Sequence, residues 1–179
     1  RPITRAHLVD LFWGEQPEER GRGNLRRVLH NLATVLPGWL VTTRDTVQFD
    51  PSGDVWVDTL TFAALVKHGT PAALADAVAL ARGDFLAGLD VDGCPEFEAW
   101  QVVAREHWRQ RLVDALQRLA ALHAQRQEYE AAQAYAHQLI ALDPWREEAH
   151  RLLMRLLALS GQRSAALAQY ETCRRLLAE

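Results

Sequence analysis

LAALHAQRQEYEAAQA (residues 119–134) and LMRLLALSGQRSAALA (residues 153–168) are one pattern written twice, 34 residues apart. Leu119/Leu153, Leu122/Leu156, Ala124/Ala158, Ala131/Ala165, Ala132/Ala166 and Ala134/Ala168 coincide at that offset. A fixed period of this length means stacked pairs of helices, each pair burying its apolar face against the next. The alanines permit the second helix of a pair to approach the first closely, and Pro144 falls where one pair hands over to the next. An ordinary helical bundle in an alanine-rich chain is the competing reading.

Working outward, the spacing of apolar residues predicts helices over about Tyr129 to Leu142, Arg146 to Leu159 and Ser164 to Ala178, separated by Asp143-Pro144 and Ser160-Gly161. Upstream, Phe97, Trp100, Ala104, Trp108, Leu112, Leu116 and Leu119 recur at three or four from Glu96 onward, which gives one long amphipathic helix or two abutting ones. Pro71 opens a helix to about Arg82, ended by Gly83, and Asp58 caps another from Thr59 to Lys67. A period of about 34 is that of tetratricopeptide-like arrays, so this part of the chain is expected to resemble one.

Before residue 58 the pattern changes. Thr4 caps a helix from Arg5 to Trp13, Gly14 and Pro17 interrupt it, and a second helix runs from Glu18 to Leu36, stopped by Pro37-Gly38. Leu25, Val28, Leu29, Leu32, Val35 and Leu36 form its apolar side. Leu40, Val41 and Thr43, the polar pair Arg44-Asp45, then Val47 and Phe49 read as a hairpin. After Pro51-Ser52-Gly53, Val55-Trp56-Val57 reads as a further extended piece.

The 179 residues are 49% hydrophobic and 24% charged, the composition of a globular chain. No apolar run approaches the ~18–20 residues of a membrane span, and Arg-Pro-Ile-Thr at the start is no secretory signal, so a cytoplasmic protein is expected. Cys94 and Cys173 stand alone and read as reduced structural thiols. The net charge is −3, but residues 20–49 hold five arginines and one aspartate, +4, which leaves −7 for the rest. The positive charge is gathered near the N-terminus.

At about 100° per residue, the side of the second helix opposite its apolar set carries Gly23, Arg27, His30 and Thr34, flanked by Arg26 and Asn31. Cations and amides without a carboxylate suit phosphate contact and base-edge hydrogen bonding in a major groove. Helix, turn, helix and hairpin is the order of a winged helix-turn-helix, with Arg44 at the wing tip. The plain alternative is a solvated helix face.

Other features read as structure. His107, His123, His137 and His150 lack carboxylates at ligand spacing, so no metal or cofactor is expected. Trp100, Trp108 and Trp145 are expected to fill gaps between helices. Glu96, Glu98, Glu147 and Glu148 crowd helix N-termini, where the macrodipole favours them, and no nucleophile motif or phosphate loop occurs. The chain is expected not to be an enzyme.

Asn24-Leu25-Arg26 with Leu29 and Leu32, Arg82-Gly83-Asp84-Phe85-Leu86, the stretch Leu142 to Met154 (LDPWREEAHRLLM) and Ala166 to Glu171 (ALAQYE) together resemble the bacterial transcriptional activator domain family of antibiotic-regulatory (SARP-type) activators. The resemblance covers nearly the whole chain. It implies a partial winged helix-turn-helix over residues 1–57 and a helical tetratricopeptide-like domain over 58–179, a mainly α fold. It further implies a DNA-binding activator in which Arg22, Arg26, Arg27, His30, Asn31, Thr34 and Arg44 meet double-stranded DNA at promoter repeats. RNA polymerase, other protein domains through the repeats, and a homodimer are the further partners implied, with no membrane. Where family members often have Leu-Arg late in the recognition helix, this chain has Leu32-Ala33, and the resemblance implies further sequence beyond both termini. A protein-interaction or signal-sensing module with a winged helix that no longer binds DNA is the alternative.

Overall fold

The structure, a computed structural model, describes residues 2–50 and 55–178. The described elements run β1 (Ile3–Thr4), α1 (Arg5–Trp13), α2 (Glu18–Val35), β2 (Leu40–Thr42), β3 (Thr46–Phe49), α3 (Asp58–His68), α4 (Pro71–Leu80), α5 (Pro95–Gln125), α6 (Tyr129–Leu142), α7 (Glu147–Leu159) and α8 (Arg163–Ala178). The fold is mainly α, with one small antiparallel sheet near the N-terminus. Packing divides it into two compact units, residues 1–57 with 84–107 and residues 58–83 with 108–179.

In the first unit, α1 begins where Thr4 accepts a hydrogen bond from the His7 amide, the cap that its sequence predicts. Pro17 cannot donate within a ladder and opens α2 instead, its carbonyl accepting from the Arg20 and Gly21 amides. The two helices meet at Gly21: a β-carbon there would lie 2.6 Å from Val9 Cγ1 and 3.5 Å from Trp13 Cβ. Val9, Leu25, Leu29 and Val47 form the small core beneath, with Leu8, Trp13 and Leu40 against it.

The sheet has the order β1-β3-β2, so β3 is central. Leu40 pairs with Phe49 and Thr42 with Val47, while Ile3 pairs with Val47 on the other side. The hairpin is the expected one; β1 is an addition. Val55–Val57 joins no strand, and the Pro51-Ser52-Gly53 turn lies outside the described residues. Residues 84–94 are held by α5, where buried Gln101 donates to the Leu89 carbonyl (2.8 Å) and Arg105 to those of Phe85 (2.9 Å) and Leu86 (3.0 Å).

In the second unit, Phe62, Leu74, Ala77, Ala115 and Leu119 join α3 and α4 to α5, and Ala132, Ala136, Leu153, Leu156 and Leu157 join α6 to α7. The Arg111 guanidinium stacks over the rings of Trp108 (4.8 Å) and Phe62 (5.6 Å). Two sequence expectations shift. α4 stops at Leu80 rather than Arg82, because the Ala81 amide turns back to the Val78 carbonyl and that of Arg82 to Leu80. Trp145 is not a filler between helices: it sits 65% exposed in the connection between α6 and α7.

The 34-residue repeat is carried into the backbone. Gln127 N donates to Ala124 O (3.0 Å) and Glu128 N to His123 O (3.0 Å) between α5 and α6; Gly161 N donates to Ala158 O (3.1 Å) and Gln162 N to Leu157 O (2.8 Å) between α7 and α8. Gln127 and Gly161 occupy the same repeat position, and both are left-handed, with φ of 63° and 80°. Buried His150 fills the position equivalent to buried Leu116. Its Nε2 donates to the Pro144 carbonyl (2.8 Å), and its Nδ1 accepts from the Gln169 amide (2.5 Å).

Two variants test this packing. Gln127→Gly should stabilise the protein by about 0.5–1 kcal/mol by relieving the left-handed cost, a rise of ~1–3 °C in thermal midpoint by circular dichroism. Gly21→Ala should lose ~1–2 kcal/mol despite its better helix propensity, and Val9→Ala in the same chain should recover part of that loss in urea titrations.

Candidate nucleic-acid interface

Six of the seven residues singled out from the sequence lie on α2 and one on the hairpin, all within the first unit, and all seven are exposed. The helix places them by its period. Leu25 and Leu29 turn inward, so Arg26, Arg27, His30 and Thr34 point away from the core. Between Gly21 and Arg44 the chain contains no carboxylate.

The residues are not equally free. Arg22 is ion-paired with Glu18 one turn earlier, a contact exposed on both sides. Arg27 reaches only the Asn24 side-chain oxygen at 3.4 Å, and Thr34 donates to the His30 carbonyl (3.1 Å). Arg26, His30 and Asn31 make no side-chain hydrogen bond or ion pair with another described residue. Their donors face solvent, so a ligand can take them without breaking a protein contact.

Arg44 stands at the tip of a well-defined turn. The Thr43 amide donates to Thr46 O (2.9 Å), and the Thr43 hydroxyl accepts from the amides of Asp45 (3.3 Å) and Thr46 (2.9 Å). Such hydroxyl-to-backbone bonds fix a turn locally. Arg5 ties the same turn to the start of α1, its amide donating to Asp45 O (2.8 Å) and its Nε to Thr43 O (3.0 Å). Sequence reasoning passed over Arg5 and Thr43. Arg5 precedes the turn by some forty residues, a separation that no local pattern reveals.

The apolar side of α2 is covered only in part: Leu25 and Leu29 are buried, whereas Val28 (38%), Leu32 (37%), Val35 (74%) and Leu36 (41%) are exposed. The partners Val9 and Val47 reach only the Leu25–Leu29 stretch, so the C-terminal half of the helix carries an apolar side without a cover among the described residues.

Elsewhere the chemistry is sparse. No group of three His, Cys, Asp or Glu side chains that could hold a metal ion occurs among the described residues. An open groove of about 540 Å³ in the second unit is lined by Val66, Arg111, Asp114, Gln117, Arg118 and Ala121. Its cations are engaged, Arg111 on two aromatic rings and Arg118 on the Val66 carbonyl (3.2 Å). Cys94 and Cys173 are free thiols, and among the described residues no helix is long and apolar enough to cross a membrane.

Two helices and a hairpin in the first unit are followed along the chain by packed pairs of helices. The family model of the bacterial transcriptional activator domain matches residues 58–179, more than half of the chain. The chain belongs to that family, one of transcriptional regulators, as the motifs in its sequence suggested. No curated protein matches it.

The turn geometry makes a prediction independent of function. Thr43→Val removes the hydroxyl that holds Arg44 in place. Amide hydrogen exchange at Asp45 and Thr46 should then accelerate by about tenfold, the equivalent of one net hydrogen bond, while exchange in α7 stays unchanged.

Proposed function

We propose that this chain is a DNA-binding transcriptional activator whose helix α2 enters the major groove. Residues 1–57 form the DNA-binding part and residues 58–179 the regulatory helical part. Arg26, Arg27, His30, Asn31 and Thr34 face the base edges and flanking phosphates, and Arg44 meets the sugar-phosphate backbone from the hairpin tip. Arg22 contributes after exchanging Glu18 for a phosphate. The helical part makes the contacts to RNA polymerase or other protein domains, and a homodimer on repeated half-sites fits the same scheme.

The reading is carried by one observation: the outer side of α2 presents Arg26, His30 and Asn31 without a side-chain partner among the described residues, beside Arg27 held only by Asn24, with no carboxylate after the first turn of the helix. Guanidinium groups bind guanine with two donors and asparagine pairs with adenine, so this set can both anchor and discriminate. The exposed Val28, Leu32, Val35 and Leu36 favour a second reading, in which α2 is covered by protein and the unit serves interaction or sensing instead.

The two readings separate in one titration. A 30-base-pair duplex bearing direct repeats, selected by the protein from a random library, is titrated at several salt concentrations. Arg27→Ala should weaken binding about 5- to 30-fold and lower the slope of log K against log salt by about 0.9, one phosphate's worth of released counterion. Failure to select any duplex, or identical affinities without a salt slope, would leave the interaction reading.

A further inference from the structure

The boundary of the matched family and the boundary drawn by packing do not coincide. The family model matches residues 58–179, whereas residues 84–107, inside that match, pack with residues 1–57 in the first unit. The N-terminal part of α5 therefore belongs to the unit that carries α2. There it meets α1.

Phe97 makes the contact. It is 6% exposed, and its ring stacks on that of Phe12 with centroids 5.4 Å apart and planes 24° from parallel. Trp100 lies 5.4 Å from Phe97 on its other side in the sequence, and Phe85 lies 6.3 Å from Trp100. Such ring pairs contribute beyond the area they bury. The Cys94 thiol donates to the Phe12 carbonyl (3.4 Å), and the Glu96 carboxylate lies beside Gly14, 2.9 Å from the place of an added β-carbon. Residues at the start of α5 thus hold the last turn of α1.

α1 is loaded on two sides. Phe12 meets α5, while Val9 and Trp13 meet Gly21 of α2, where an added β-carbon would stand 2.6 Å from Val9 Cγ1. Val9 also joins the core that contains Leu25 and Leu29. Close packing of this kind transmits displacement, because it leaves no void to absorb it. The position of α2 follows that of α1, and α1 is fixed on its other side by Phe97.

We propose that Phe97 is a positioning residue for the groove contact of α2. It touches no nucleic acid itself. Through Phe12 and α1 it holds α2 in the orientation from which Arg26, Arg27, His30 and Asn31 read a duplex. The proposal deepens the DNA-binding reading and rests on it, and it places control of base reading in a residue of the matched family domain. Contacts to base edges carry the sequence information and need close placement, whereas attraction to the phosphates is independent of sequence and tolerates a shift. Loss of the Phe97 ring therefore lowers discrimination between sequences and spares the counterion effect.

The full chain, Phe97→Ala and Phe97→Leu are titrated at several salt concentrations with the selected duplex and with a scrambled one. Phe97→Ala should weaken binding to the selected duplex about 5- to 30-fold, leave the scrambled duplex within about twofold, and keep the salt slope of the wild type. Phe97→Leu, which restores apolar volume against Phe12, should recover most of the loss. If circular dichroism shows Phe97→Ala unfolded, Phe97→Val takes its place with the same expectation. Amide hydrogen exchange is followed on the same proteins without DNA. Exchange at Leu25 and Leu29 should accelerate about tenfold in Phe97→Ala and stay unchanged in α7. Equal losses on both duplexes, wild-type affinity for the selected duplex, or wild-type exchange at Leu25 and Leu29 would each overturn the proposal. A wild type that selects no duplex brings down the DNA reading, and the exchange rates then decide alone whether Phe97 fixes α2.

Discussion

The second unit depends on how closely α6 can lie against α7. Ala132 and Ala136, both fully buried, face Leu153, Leu156 and Leu157, and a methyl group is the whole of what each contributes to that contact. Interiors pack at crystalline density, so larger side chains here would have to separate the helices or leave their rotamers. Closeness also sets the polar contacts at the edge: Gln133 reaches Ser160 only because the helices run within side-chain length of each other. Of the alanines that coincide at the 34-residue offset only Ala132 is buried, while Ala134, Ala158, Ala165 and Ala168 are exposed, so the spacing is set by Ala132 together with Ala136, which is not part of the repeat pattern.

The first unit solves the same problem with a single glycine. Gly21 brings α2 against Val9 of α1, and this contact aims the helix whose outer side carries Arg26, Arg27 and His30. The groove contact proposed for α2 requires such rigid placement, since base-edge contacts tolerate little displacement. The hairpin is fixed in a similar way. Thr43 closes its turn and Arg5 fastens that turn to the start of α1.

Much of this was legible in the sequence because it rests on local rules. The cap at Thr4, the breaks at Gly14 and Pro17, and the 3.6-residue apolar period place α1, α2 and α6 to α8 to within a residue or two. The hairpin follows from alternation. What escaped rests on distant or very short features. β1 has two residues, too few for any alternation to register, and exists through pairing with β3. Whether α5 was one helix or two was open because apolar spacing looks the same in both, and it is one. The exposure of Val28, Leu32, Val35 and Leu36 escaped because periodicity reports which side of a helix is apolar, not how far its partners extend. The exposed cationic residues of α2 were readable as a set, whereas the engagement of Arg22 with Glu18 required coordinates.

Repeats of similar shape carry a hazard: one hairpin can fold into the place of its neighbour. His150 guards against it. In its own place the imidazole is satisfied on both sides, by the Pro144 carbonyl and the Gln169 amide. A chain slipped by one repeat would carry that ring to the site of Leu116, among Val113, Leu139 and Ala149. Burying a polar group without partners costs about 1–3 kcal/mol, a large share of a marginal stability. The histidine thus labels its hairpin, and a misthreaded array is penalised where the imidazole would lie among apolar side chains.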